Sequence, residues 1–253
     1  MAHRGLIRIQ FVVFIFLIFF LNAKAAAQSD NDDFMVGVRL DMLQVPRNYS
    51  GVSPESQWSR GIWTMHDAKS ILSRYHRGEL DETARILTIR RQSEINFSDH
   101  LFARVWQPHW AETQIYPLFQ DSGIRDRAPD LGYRHDPSDR RNENDFVFFA
   151  TGYILVPEEG QYDIGVLNDD GFLFQLDLIN EKKFILTDSH LSPLHPPRFF
   201  SKTVYLRQGL YPFSLLSFEH LEASVIRLSW KKPSAKKYEV IPSEYFRVMR
   251  AEH

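Results

Sequence analysis

The sequence predicts an all-β fold: an antiparallel β-sandwich with a short helix and an irregular N-terminal insertion. Three observations point there. From position 146 onward, short apolar stretches alternate with a period of two, as strands with one buried face require. Gly and Pro punctuate these stretches at the short intervals expected of a sandwich or barrel. The 20 Phe and 10 Tyr bring aromatics to 14%, a composition suited to pleated surfaces. The chain has no internal repeat and no helical spacing of the kind that would join parallel strands.

The elements follow in chain order. Arg4 and Arg8 form a basic start, residues 11–21 are an unbroken apolar run, and A-x-A patterns stand at 23–25 and 25–27. This is the make-up of a secretory signal peptide occupying residues 1–27, cleaved before Gln28. The apolar run falls short of the roughly 20 residues a membrane span needs. If left uncleaved it would be the chain's one membrane attachment. A polar stretch, 28–33, precedes a strand in which Val36, Val38, Leu40 and Met42 alternate with Gly37, Arg39 and Asp41.

A turn-rich segment with Pro46, Gly51, Pro54 and Gly61 leads to a helix. Thr64 caps it, Asp67 stands three residues on as in a capping box, and Gly78 lies just past its end. Met65, Ala68, Leu72 and Tyr75 have helical spacing. Short strands are expected at 84–89 and 101–106, then a polar surface loop over 120–144.

Residues 146–156 are apolar on both faces, the mark of a strand covered on both sides. After the turn at Pro157 to Gly160, Tyr162, Ile164 and Val166 share one face, while Gln161 and Asp163 take the other. Asn168-Asp169-Asp170-Gly171 reads as a turn, followed by a strand with Phe172, Phe174, Leu176 and Leu178 on one face. Further strands are expected at 183–186, 203–206, 211–218 and 225–230. Residues 28–253 are read as one domain, which is long enough to bury a core of its own.

Composition narrows the function classes. Lys plus Arg number 30 against 32 Asp plus Glu, a formal net charge of −2, so no global field favours nucleic acid or an anionic membrane. The chain has no Cys, which excludes disulfides, thiol nucleophiles and Cys-bound zinc. The ten His, including His66, His76, His100, His109 and His135, show no H-E-x-x-H spacing. There is no G-x-S-x-G, no P-loop and no dinucleotide glycine fingerprint. The chain is read as a binding protein rather than an enzyme.

The ordered set Thr151-Gly152-Tyr153-Ile154, Pro157, Gly160-Gln161-Tyr162, Asn168-Asp169-Asp170-Gly171 and Phe172-Leu173-Phe174-Gln175-Leu176-Asp177 resembles the protective-antigen (PA-fourteen) domain. The steps Val204 to Tyr211, Leu228-Ser229-Trp230 and Ile241-Pro242 resemble the family's later segments, so the recognisable core spans 146–247. Leu178 stands where the family pattern has Gly, and Glu222 where Gly is common. The resemblance implies a β-sandwich of protective-antigen type, and in many such modules a carbohydrate-binding role.

It also makes Asp169 and Asp170 candidate ligands for calcium and for a glycan, because in the adhesin branch such a double Asp holds the ion and the ion ligates sugar hydroxyls. Consecutive strand residues face opposite ways, so the peptide between two carboxylates that grip one ion must leave strand geometry, as a cis bond allows. Calcium, a hard cation taking oxygen ligands, suits such a pair. The same four residues are also plain turn chemistry.

Two aromatic features stay open between sugar stacking and core packing: Trp106-Gln107-Pro108-His109-Trp110 and Phe199-Phe200. The run Lys231 to Lys237 reads as a solvated hairpin loop. Two function classes therefore remain. One is an exported, calcium-dependent carbohydrate-binding module, secreted, periplasmic or at the cell surface, with a glycan as partner. The other is a non-catalytic envelope module with a protein partner.

Overall fold

In the computed structural model, the described residues are 33–46, 61–98, 113–119, 145–178, 182–188, 197–220 and 224–250. The first strands are β1 (Phe34–Val36), β2 (Val38–Gln44), β3 (Arg85–Gln92), β4 (Asn96–Ser98) and β5 (Gln114–Ile115), with helix α1 (Met65–His76) between β2 and β3. Then follow β6 (Phe146–Val156), β7 (Gly160–Asp169), β8 (Gly171–Asp177), β9 (Lys183–Asp188) and β10 (Arg198–Leu206). The chain closes with β11 (Gly209–Glu219), β12 (Val225–Lys231), β13 (Glu239–Val240) and β14 (Phe246–Met249). Two compact units separate: the chain ends, Met1–Met35 with Met249–His253, and the large unit Val36–Val248. Between the chain ends, the Arg250 N–H donates to the Asp33 carbonyl at 2.8 Å.

The large unit is built on two sheets. In the first the order is β14-β6-β11-β8-β9. β11 runs the full length of β6, from Gly209 opposite Val156 to Glu219 opposite Phe146. The other edge of β6 is shared: β2 pairs with its first half and β14 with Ile154 and Tyr153. The second sheet runs β10-β7-β12-β4-β5, with β13 also on β12. Neighbours pair antiparallel apart from β4 and β5, which run parallel.

Alternation decides what lies between the sheets. Tyr162, Ile164 and Val166 from β7 and Ile226, Leu228 and Trp230 from β12 meet Phe148, Ala150, Phe172, Phe174 and Leu215 of the first sheet in one core. Each large side chain so buried contributes about 1.5–3 kcal/mol. Trp230, fully buried, packs against Tyr162 and Tyr245 with ring centroids 5.5 and 5.0 Å away, and its Nε1–H donates to Glu239 at 3.0 Å.

Helix α1 supplies a third layer. Thr64 and Asp67 form the capping box, and Gly78 takes φ 69° just past the helix, the left-handed conformation glycine tolerates. Met65, Ala68 and Ile71 pack with Leu43, Val147, Leu216 and Phe218 in a second apolar cluster. This is why 146–156 is apolar on both faces: Phe146, Phe148 and Ala150 face the main core, and Val147 lies under the helix. Tyr75 reaches from the helix to donate to buried Asp41 at 3.0 Å, where Thr88 and Arg39 also donate. A polar residue on the alternating strand thus becomes buried without losing its partners.

Several sequence expectations are refined. The strand read from Val36 is broken at Gly37, and β3 and β10 are longer than expected. The signal peptide, the strand at 101–106, the Trp106 to Trp110 platform and the loop 120–144 lie outside the described residues. Among the described residues, no helix is long and apolar enough to cross a membrane.

Candidate functional site

The Asn168 to Gly171 step is not a hairpin turn. β7 hydrogen-bonds within the second sheet as far as Asn168 opposite Arg198 and Asp169 opposite Val225. β8 begins in the first sheet, with Gly171 opposite Phe218 and Phe172 opposite Asp188. Between β7 and β8, Asp170 is therefore the residue at which the chain crosses from the second sheet to the first. The Asp169-Asp170 peptide is cis.

Three sets of contacts fix this corner. Fully buried Asn168, with its amide oriented to suit its neighbours, donates from Nδ2 to Ser217 Oγ at 2.7 Å. Its Oδ1 accepts from the N–H groups of Asp169 and Gly171, at 3.0 and 2.8 Å. One side chain thereby clasps the backbone on both sides of Asp170. The Asp170 N–H donates to the Phe218 carbonyl at 3.2 Å, and Asp170 Oδ2 accepts from the His220 N–H at 2.8 Å.

Behind the corner stands a buried pair. His220 Nδ1 lies 2.8 Å from Asp145 Oδ1, and the two side chains are 1% and 0% exposed. The same carboxylate oxygen accepts from the Ile62 N–H at 2.9 Å. The Trp63 ring covers His220 with a centroid separation of 4.0 Å. Gly61 makes this possible. Its φ is +110°, and a Cβ there would stand 2.1 Å from Asp145 Oδ1, so no L side chain fits. The segment ahead of α1 is in this way tied to the double Asp through Asp145 and His220.

Among the described residues, five carboxylates at this end of the strands are at most 6% exposed: Asp145, Asp169, Asp170, Asp188 and Glu219. Among the described residues, no three His, Asp or Glu side chains are grouped to hold a metal ion. Asp169 and Asp170 are neighbours at the end of β7, 6% and 1% exposed; Glu222 lies outside the described residues. Sequence reading missed Asp145, His220, Ser217 and Gly61 as parts of the site. Asp145 and His220 are 75 positions apart, and no spacing rule joins them. Asn168 was legible only as a turn former.

A family model for the PA14 domain matches residues 123–244. Over that stretch the sequence is that of a PA14 domain. Its recognisable strands in the sequence, 146–247, cover most of that match. No curated protein matches the chain. Among solved structures, the Candida glabrata epithelial adhesin 9 A domain in complex with Galb1-3GlcNAc is 13% identical with a TM-score of 0.51, covering 87% of this chain and 92% of that one. The same domain in complex with Galb1-4GlcNAc is 14% identical, with the same score and coverage. A subtype-switched form in complex with beta-lactose is 13% identical with a TM-score of 0.51, covering 87% of this chain and 90% of that one. At this identity the likeness is one of fold: a PA14-type antiparallel sandwich.

Proposed function

We propose that this PA14 domain is an exported carbohydrate-binding module whose sugar site is the Asp169-Asp170 corner, with calcium as its ion. The observation that carries the reading is the corner itself. Two adjacent carboxylates sit where the chain passes between sheets, clasped by Asn168 and tied to the His220 amide. The adhesin domains of like fold, in complex with Galb1-3GlcNAc, Galb1-4GlcNAc and beta-lactose, support a glycan as the ligand class.

The donor chemistry suits a hard cation: the adjoining groups are carboxylates, and the nearby imidazole is engaged with Asp145. Calcium takes about six to eight oxygens, so two Asp residues leave positions for water, backbone carbonyls and sugar hydroxyls. When bound, the ion supplies direct ligation of hydroxyl oxygens. This chain's residues do the rest: Asn168 holds the Asp169 and Gly171 amides in place, and the His220 amide fixes one oxygen of Asp170. The reading is of binding rather than catalysis. Arg4, Arg8 and the apolar run 11–21 support export.

Calorimetric titration of residues 28–253 with calcium tests the reading, with Asp169→Ala and Asp170→Ala alongside. One ion is expected to bind, with loss in both variants, and a glycan array should then give calcium-dependent hits on galactose-containing glycans. Absence of ion uptake and of any hit would leave the PA14 sandwich as a scaffold for an envelope protein. A secreted product starting at Gln28 is expected from N-terminal sequencing.

A further inference from the structure

The outward face of the second sheet carries a groove of about 610 Å³, within the size range of small-molecule sites. Its floor is a row across three strands: Leu167 on β7 opposite Arg227 on β12, itself opposite Asn96 on β4. Arg227 Nε donates to Asn96 Oδ1 at 2.8 Å, which holds both planar groups in fixed orientation. Glu94 and Glu239 also line the groove.

At one end stand two exposed aromatic rings. Phe199 and Tyr238 are 48% and 37% exposed and meet edge to face, with centroids 4.9 Å apart and planes at 79°. The Phe199 ring lies over Gly165: a Cβ there would stand 2.4 Å from the ring. Only the missing side chain lets the ring lie down on the sheet. Neighbouring Phe200 instead packs against the core, 5.5 Å from Phe172. The Phe199-Phe200 alternatives are thus split between the two residues.

An apolar ring face beside fixed planar donors and acceptors is complementary to a sugar ring, which has an apolar face and a rim of hydroxyls. The lining holds two acids and one base, Glu94, Glu239 and Arg227. Glu239 is already paired with Lys232 at 3.0 Å, and that pairing holds the Lys232 ammonium above the usual lysine range. No excess positive charge awaits an anion.

We propose that this groove is a second saccharide site, taking an uncharged oligosaccharide by stacking on Phe199 and Tyr238, and that it works without calcium. Leu167 precedes Asp169 by two positions on β7, but neither Asp169 nor Asp170 lines the groove. The two sites are therefore separable by mutation, and failure of either leaves the other standing.

The test uses residues 28–253 in EGTA, with cellotetraose, laminaritetraose and lactose as probes, followed by calorimetry and saturation-transfer NMR. At least one probe is expected to bind, with about ten-fold weakening in Phe199→Ala and in Tyr238→Ala and no change in Asp169→Ala. Phe199→Leu keeps the bulk and loses the flat face, so it should weaken binding as well. The Phe199 and Tyr238 variants should melt like the parent, because both rings are exposed. No binding by any probe overturns the proposal, as does binding that vanishes with EGTA or in Asp169→Ala. Binding of spermine with none of the saccharides would overturn it too, marking the groove as an amine site.

Discussion

The His220 amide donates to Asp170 Oδ2 at 2.8 Å while the ring of the same residue bonds to Asp145 at 2.8 Å. One residue thus joins the double Asp to a fully buried carboxylate, which in turn holds the Ile62 amide ahead of α1. The corner and the N-terminal insertion are mechanically linked through it.

Removing Asp145 should damage both. Asp145→Ala leaves the His220 Nδ1 and the Ile62 N–H without this shared partner in a buried setting. Breaking such a buried pair costs about 3 kcal/mol, to be read as a lower urea midpoint at unchanged m-value. In Asp145→Asn, which keeps the shape, the calcium affinity proposed for the Asp169-Asp170 corner should fall about ten-fold, the scale of effect seen when groups that orient metal ligands are altered. A parent-like calcium titration in Asp145→Asn would show that the relay does not position the corner.

Gly61→Ala tests the same tie from the other side. The new methyl would overlap the Asp145 carboxylate at a φ of +110°, combining a clash with a disfavoured backbone. A loss of at least about 2 kcal/mol in chemical unfolding is expected. Gly78→Ala is the control: its φ is also positive, but a Cβ there meets nothing within 4 Å. It should cost less than Gly61→Ala, and equal losses would refute the packing argument.

Trp230 carries the centre of the sandwich. Trp230→Ala removes a fully buried indole between Tyr162 and Tyr245 and should cost about 3–5 kcal/mol. Trp230→Phe keeps most of the volume but loses the donor to Glu239, so a smaller loss is expected. The comparison is made by thermal melting followed in the near-ultraviolet, and a melt of Trp230→Ala equal to the parent's would contradict this placement.

Alkaline pH should weaken the fold through Tyr162. Burial of its phenol pushes the pKa up to about 12 from the usual 10.0. Between those values the unfolded chain has released the proton and the folded chain keeps it, so stability falls as pH rises, by up to about 1.4 kcal/mol per unit from this group. Below pH 10 the contribution is complete. Tyr162→Phe should flatten that part of the stability profile between pH 10 and 12, and identical slopes in parent and variant would sink the assignment.

Much of this could be read before any coordinates. Alternation set the inward faces of β7 and β8, because a period of two leaves one face apolar. Thr64, Asp67 and Gly78 marked both ends of α1, because capping is chemistry within four residues. The double Asp stood out through the family resemblance, while its local chemistry alone read as a turn. From the sequence alone, then, came the longer strands, the helix and the sandwich class, but not the short strands β4, β5, β13 and β14.

Tertiary structure alone decided how these meet. Asn168 to Gly171 became a crossing between sheets and not a hairpin, because β7 and β8 find hydrogen-bond partners in different sheets. Asp145, Gly61 and His220 entered the site from three distant stretches, and Phe199 parted from Phe200 because Gly165 leaves room for one ring on the sheet. Local chemistry is written at short range and can be read there. Which distant groups share a buried hydrogen bond depends on how the layers close, and that is settled only when the whole core packs.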